Sequence, residues 1–289
     1  MKVSIITPSF NQGQFIERTL RSVADQDYPD IEHVVFDGGS TDATVDVLKR
    51  FGNAVRWVSA KDKGQTDAVN KGIRATTGEI IGWLNSDDIY YPGAISHVVA
   101  YFDAHPEIGV VYGMADHIDL DDQAFESYPT EPWDLARLMD TCFICQPAVF
   151  FRRSIVDEHG LLDARLNYCM DYEYWLRLGK AGVTFSYLTE KLAGSRLYAD
   201  NKTLGSRLKV HAEINDMHKA LFGKVPDRWV WNYAHAAVED KVDRTRMPRW
   251  FAIRLLVAAA TAALRWNGHI SPETKPGLRD LWRRFRSRA

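Results

Sequence analysis

The chain opens with a short β-branched run, Val3–Thr7, and continues with apolar positions at Ile16, Leu20, Val23 and Ala24 spaced three and four apart. The first pattern predicts a buried strand and the second one face of a helix. The alternation then repeats. Ile31–Phe36 predicts a second strand, and Val45, Leu48 and Phe51 predict a helix with Thr41 or Asp42 as its cap. Val55–Val58 predicts a third strand, and Thr66–Ala75 a helix with Ala68, Val69 and Ile73 on one side. Glu79–Leu84 predicts a fourth strand that stops at Asn85-Ser86-Asp87-Asp88. Pro92 suits the first turn of the following helix, and Ile108–Tyr112 predicts a fifth strand. This rhythm predicts the α/β class: a Rossmann-like, mainly parallel sheet with helices on both faces.

The second half is less regular. Ala148–Phe151 predicts a strand, Met170–Ala181 a helix stopped by Gly182, and Val183–Leu188 and Leu192–Leu197 two extended pieces. From Lys202 the pattern is helical to the end. The division expected is a mixed body over 1–205 and a C-terminal helical, basic extension over 206–289, which suits 289 residues. Charge follows it. Twelve Lys and Arg against three Asp and Glu give +9 from Lys241 onward, while residues 1–240 carry −11. The cysteines Cys142, Cys145 and Cys169 are too few and odd in number for a disulfide framework. The C-x-x-C spacing of the first two has no second half, so buried structural thiols in a reducing compartment are expected. The first residues lack a signal-peptide pattern, and no 18-residue apolar run occurs, so a cytoplasmic protein is expected.

In open parallel α/β sheets, ligands bind beyond the carboxyl ends of the strands. The loops there are Thr7-Pro8-Ser9-Phe10-Asn11, Asp37-Gly38-Gly39-Ser40-Thr41-Asp42, Lys61-Asp62-Lys63-Gly64-Gln65-Thr66-Asp67 and Asn85-Ser86-Asp87-Asp88. All are polar and three are rich in Asp. Carboxylates gathered on one rim repel one another unless a cation neutralises them. Mg²⁺ and similar hard ions are shared between carboxylates and substrate phosphates, so the rim suggests a metal–diphosphate site. No G-x-x-x-x-G-K-[ST] or G-x-G-x-x-G pattern offers another phosphate cradle. Asp42 fits a helix cap better than a ligand, whereas the adjacent Asp87-Asp88 at a strand end fits a ligand better than a turn. Gly38-Gly39 suits either a close backbone approach to a ligand or a tight turn.

With these residues in order the sequence resembles family 2 of the glycosyltransferases, which has the GT-A fold. The likeness runs from residue 3 to about 205. It rests on Val3–Asn11, Phe36–Asp42, Asp62–Gly72, Trp83–Asp88, Gln146–Arg153 and Met170–Leu178. The resemblance implies an inverting transfer of sugar from a nucleotide-sugar donor, most often a UDP or dTDP sugar, to an acceptor hydroxyl. The setting it implies is bacterial cell-surface polysaccharide or glycolipid synthesis. It implies that Thr7, Pro8, Asn11, Asp37, Lys63, Asp67, Asn70 and Asp87 bind the nucleotide sugar. It implies Asp88 as ligand of a Mg²⁺ or Mn²⁺ ion, Asp171 as catalytic base, and Gln146 and Glu173 on the acceptor side. A saccharide or lipid-linked saccharide acceptor follows as partner. Asp171, at the start of a helix, also suits a dipole-stabilising role.

One stretch departs from the family. Where an R-x-H pattern often supplies a metal-binding His, this chain has Arg196-Leu197-Tyr198-Ala199-Asp200, so Tyr198, Asp200 or water would replace it. Two other functions stay open: a metal-dependent sugar nucleotidyltransferase, and a non-catalytic nucleotide-binding partner in polysaccharide synthesis. The first usually has a Gly- and Lys/Arg-rich loop after its first strand, which Asn11-Gln12-Gly13-Gln14 is not. Finally, Trp250–Trp266 is apolar except for Arg254, Thr261 and Arg265, has Trp at both ends, and is flanked by arginines. It suits an anionic membrane surface, which would bring the site to a lipid-linked acceptor, and equally a helix that packs on protein or forms a homodimer.

Overall fold

A computed structural model describes residues 1–198, 204–239, 241–271, 279 and 283. Asp200 and Arg284, Arg286 and Arg288 of the basic tail lie outside the described residues. The chain forms two compact units, Met1–Leu138 with Cys142–Tyr198, and Met139–Thr141 with Ala199–Ala289.

The first unit holds nine strands: β1 (Val3–Ser9), β2 (Ile31–Asp37), β3 (Arg56–Ser59), β4 (Ile80–Trp83), β5 (Ile89–Tyr90), β6 (Val110–Ile118), β7 (Ala124–Ser127), β8 (Val149–Arg152) and β9 (Phe185–Arg196). Its helices are α1 (Ile16–Ala24), α2 (Thr44–Phe51), α3 (Gln65–Ala75), α4 (Ala94–Ala104), α5 (Leu135–Asp140, whose last two residues cross into the second unit), α6 (Arg153–His159) and α7 (Met170–Lys180). The strand order is β3-β2-β1-β4-β8-β6-β9-β5, with β7 on β6. From β3 to β4 the sheet is parallel, as the strand–helix rhythm predicted. Beyond β4 it is mixed. β8 runs antiparallel to both β4 and β6, while β9 is parallel to β6.

Alternation along β1 sends its residues to two layers. Val3 and Ile5 join the core with α4, and α1 and α2 pack beside it around Val35, Val47 and Leu48. On the other face α3 approaches so closely that a Cβ at Gly72 would lie 2.3 Å from Ile6 Cγ2, so only glycine fits there. Local differences from expectation have local causes. Pro92 precedes α4 by two residues, because Gly93 takes the left-handed N-cap at φ 80°. The two extended pieces after Gly182 form one strand, β9, which absorbs polar Thr189-Glu190-Lys191 through register shifts opposite Gly113–Ala115. All three cysteines are free thiols.

The second unit holds α8 (Arg207–Phe222), α9 (Asp227–Glu239) and α10 (Pro248–Asn267). Ala234, Val238 and Val242 pack against Phe251, Leu255 and Ala259 of α10. Trp266 is not an end anchor exposed to an interface: it is buried, and its Nε1 donates to Asp216 Oδ1 at 2.7 Å. No helix among the described residues is long and apolar enough to cross a membrane.

Candidate active site

The carboxyl ends of β1 to β4 carry the expected polar loops. Asp37 closes β2 and is buried. Its Oδ2 accepts the N–H groups of Gly39 (3.2 Å) and Ser40 (2.9 Å) and the Ser59 hydroxyl (2.6 Å), and its Oδ1 accepts the Ser40 hydroxyl (2.5 Å). The turn favours glycine most at its second position. Gly39 sits at φ 85°, and a Cβ on Gly38 would meet the Asp62 carboxylate at 3.1 Å. Asn11, itself at φ 52°, ties the first loop to the second: its Oδ1 accepts Thr41 N–H at 2.9 Å and its own N–H donates to Ser40 Oγ at 2.7 Å. Asp42 is not the cap of α2, which is Ala43 without a side-chain bond, but stands one residue before it. It accepts the N–H and hydroxyl of Thr44 and the N–H of Gly13.

Asn85 is the hub after β4. Its Oδ1 accepts Gln65 Nε2 (2.8 Å) and Trp83 Nε1 (2.9 Å), and its Nδ2 donates to Asp88 Oδ2 (3.1 Å) and Gln146 Oε1 (2.8 Å). Asp88 is buried. Its Oδ1 accepts the Arg196 N–H at 2.9 Å, and its carbonyl accepts the Thr19 hydroxyl at 2.7 Å. Burial, then the charge of Asp87, raises the Asp88 carboxyl to about 8, and burial raises Asp87 as well. Two neighbouring carboxyls held above their ordinary range are short of positive charge.

Arg196, at the end of β9, was not singled out by the sequence. It is fully buried. Its Nε donates to the Asp87 carbonyl at 2.7 Å, the rest of its guanidinium bonds the Asp119 carbonyl and Asp122, and it lies 4.7 Å above the Phe15 ring. The guanidinium therefore braces the main chain of the acidic loop, and its charge offsets only part of the burial that raises the two carboxyls. Two residues on, Tyr198 donates its hydroxyl to Asp87 Oδ2 at 3.0 Å and accepts from Gln12 Nε2 at 3.4 Å. The position where an R-x-H pattern has its imidazole thus holds a phenol bonded to the first carboxylate.

Several expected site residues are engaged elsewhere. Thr7 is fully buried with its hydroxyl on His33 Nε2 at 2.9 Å, and Pro8 is buried beside it. The Asn70 amide is held on both sides by Leu162 main chain, at 2.9 and 3.1 Å. Asp67 pairs with Lys71 at 2.7 Å and accepts the Lys63 N–H at 3.1 Å, which lowers its pKa and leaves the Lys63 side chain exposed. Glu173 is buried in an ion pair with Arg177 at 2.7 Å, and Gln146 is buried with its Nε2 on the Trp83 carbonyl at 2.5 Å. Phe10 was passed over in sequence; its ring is 60% exposed between Ser9 and Asn11. An aromatic bounded by polar residues at a strand's carboxyl end was the available signal.

Asp171 lies in the first turn of α7, its Oδ1 accepting the Tyr172 N–H at 2.8 Å. Burial and then the charge of Asp171 push up the Cys142 thiol. Cys145 is pushed up by burial and then by Asp88, with Asp171 contributing too, so one buried thiol feels both acids. Among the described residues no three His, Cys, Asp or Glu side chains group as a metal cage. The residues nevertheless fit a hard cation of the Mg²⁺ kind. Such ions take one or two protein carboxylates and fill the remaining positions with water and phosphate oxygens, and Asp87 and Asp88 are carboxyls that a cation would relieve.

The family model "Glycosyl transferase family 2" matches residues 4–160, more than half of the chain and all four polar loops. The chain belongs to that family. It is a glycosyltransferase. The PGL/p-HBAD biosynthesis glycosyltransferase of Mycobacterium tuberculosis is 31% identical over 179 residues, 60% of this chain and 68% of that protein. Among solved structures, S. aureus TarS 1–349 in complex with UDP-GlcNAc superposes with a TM-score of 0.63 at 18% identity, covering 92% of this chain and 82% of that one. The mannosyltransferase PcManGT of Pyrobaculum calidifontis, in complex with GDP-Man and Mn²⁺, gives 0.60 at 18% identity, covering 99% and 82%. These likenesses establish the GT-A fold of this glycosyltransferase.

Proposed function

We propose that the protein transfers a sugar, with inversion, from a nucleotide-sugar donor to a hydroxyl of a saccharide or lipid-linked saccharide acceptor in bacterial cell-surface glycan synthesis. The observation that carries this reading is the acidic loop beyond β4, where Asn85 ties Asp88 Oδ2 to Gln146 and the Tyr198 hydroxyl bonds Asp87 Oδ2. Asp37, Ser40 and Asn11 form a rigid polar floor beside the exposed Phe10 ring, a platform for the base and ribose of the donor. Asp88, with Asp87, would hold Mg²⁺ or Mn²⁺, which when bound supplies positive charge to the leaving diphosphate. Asn85 and the Arg196 main chain fix the two Asp88 oxygens. The Asp171 carboxylate takes the proton of the acceptor hydroxyl as its oxygen bonds to the anomeric carbon. The bond from that carbon to the diphosphate oxygen breaks in the same displacement, so no enzyme nucleophile is needed. In this reading Thr7, Pro8 and Asn70 act by bracing the donor loops, Gln146 by holding Asn85, and Glu173 by anchoring α7 through Arg177.

The glycosyltransferase relative named for PGL/p-HBAD biosynthesis and the UDP-GlcNAc and GDP-Man complexes of the structural neighbours support donor and acceptor classes of this kind. The test is a thermal-shift screen of UDP, dTDP and GDP sugars with Mn²⁺ or Mg²⁺, followed by product analysis of any donor that binds. A donor that raises the melting temperature and releases sugar and nucleoside diphosphate supports the reading. Pyrophosphate release would instead indicate a nucleotidyltransferase, and absence of any shift would overturn donor binding.

A further inference from the structure

One face of α10 is buried against α9, and among the described residues its opposite face is exposed. Trp250, Val257 and Leu264 are 48%, 58% and 53% exposed. They recur every seven residues. A straight helix drifts only about 20° per heptad, so the three side chains fall nearly on one line. Exposed Met247 extends the line at its start. Arg254 lies beside it with its guanidinium 5.8 Å from the Trp250 ring, and exposed Arg265 stands near its end. Residues 244–272 contain five arginines and no Asp or Glu. Before this stretch, Asp243 is bonded to Thr245 and Arg246, and Glu239 pairs with Arg207 and His235.

We propose that this face of α10 docks on an anionic lipid surface, with Trp250, Val257 and Leu264 in the headgroup boundary and Arg249, Arg254 and Arg265 on lipid phosphates. A helix of 20 residues, about 30 Å long, lies in that plane without crossing the bilayer. Charge decides between lipid and a second copy of the chain. Two copies meeting through this stripe would face arginine with arginine, and residues 244–272 hold no acid to pair with either. An anionic surface complements every charge on it. The inference rests on α10 alone and is independent of the donor site.

The test uses the full chain and sedimentation with vesicles of phosphatidylcholine, alone or mixed equally with phosphatidylglycerol. Wild type is expected to pellet with the mixed vesicles and not with the neutral ones, and to be released by high salt. Arg254→Gln with Arg265→Gln should weaken partition by about thirtyfold, two charges near the surface at roughly 1 kcal/mol each. Trp250→Ser, Val257→Ser and Leu264→Ser together should abolish pelleting while keeping the wild-type melting profile, because all three side chains point outward. Equal pelleting of wild type and the triple variant, or no pelleting of wild type at low salt, overturns the proposal. So does a wild-type dimer in light scattering that the triple variant converts to monomer. The donor-induced thermal shift, read on the same proteins, should be unchanged, which separates failure here from failure of the transfer reading.

Discussion

Asp88→Asn separates the stability role of the carboxylate from its functional one. In the metal-free protein the Asp88 carboxyl titrates at about 8, against an ordinary 3.8, because burial and the Asp87 charge oppose ionisation. Between these values the folded chain holds a proton that the unfolded chain has lost. Stability therefore falls as pH rises from about 4 to about 8, and the full loss is present above 8. The limiting slope is about 1.4 kcal/mol per pH unit. Asp87 is raised too and shares the uptake of protons, so a net loss of about 2 kcal/mol between pH 5.5 and 8.5 is a reasonable expectation for Asp88. Asparagine removes the charge and with it this slope. It also places an amide N–H₂ opposite Asn85 Nδ2, which Gln65 and Trp83 hold in place, so one hydrogen bond worth about 1 kcal/mol is lost at every pH. The variant should gain in melting temperature relative to wild type as pH rises from 5.5 to 8.5. A swing of 2 kcal/mol corresponds to about 4–8 °C in a unit of this size. Differential scanning fluorimetry across pH measures it. Addition of Mn²⁺ with UDP should stabilise wild type and leave the variant unmoved, and turnover should collapse. A melting difference that does not change with pH would refute the buried-carboxylate reasoning. Retention of metal-stimulated turnover would refute the ligand assignment.

Three further outcomes are expected. Asp171→Asn should lower transfer by about 10²–10⁴ while the donor-induced thermal shift is unchanged; lost donor affinity at normal turnover would put Asp171 in the nucleotide pocket instead. Phe10→Ala should weaken nucleotide binding by about 1–3 kcal/mol in calorimetry, as loss of a base-stacking ring does, and change stability little because the ring is exposed. Tyr198→Phe removes the hydroxyl on Asp87 Oδ2 and should raise the Mn²⁺ concentration needed for half-maximal activity by roughly two- to tenfold, with turnover at saturating metal preserved; an unchanged metal requirement would deny Tyr198 a part in the acidic loop.

Which features could be read in advance follows from the range of the interactions that fix them. Asp37, Asp87 and Asp88 stand at strand ends, and strand ends are set by local periodicity together with the rule that ligands gather beyond them. Asp42 likewise acts within two residues of itself on Thr44. Arg196 works across 108 residues on Asp88 and across 74 on Asp122, at the end of a twelve-residue strand whose register shifts conceal its phase, and no local pattern announces that. The same distance argument explains the residues assigned by resemblance whose side chains turn out to be spent. Asn70 meets Leu162 across 92 residues and Gln146 meets Asn85 across 61, so their partners exist only once the sheet is assembled. Glu173 is the opposite case, since Arg177 stands four residues on in a helix and the pair was legible. The β8 strand shows the limit at the level of topology. Its apolar run was readable as a strand, but only the packed sheet determines that it enters antiparallel between β4 and β6, and this insertion carries Gln146 beneath the acidic loop. Loops written locally thus supply the polar groups of the site, and long-range pairings decide which of those groups remain available to a ligand.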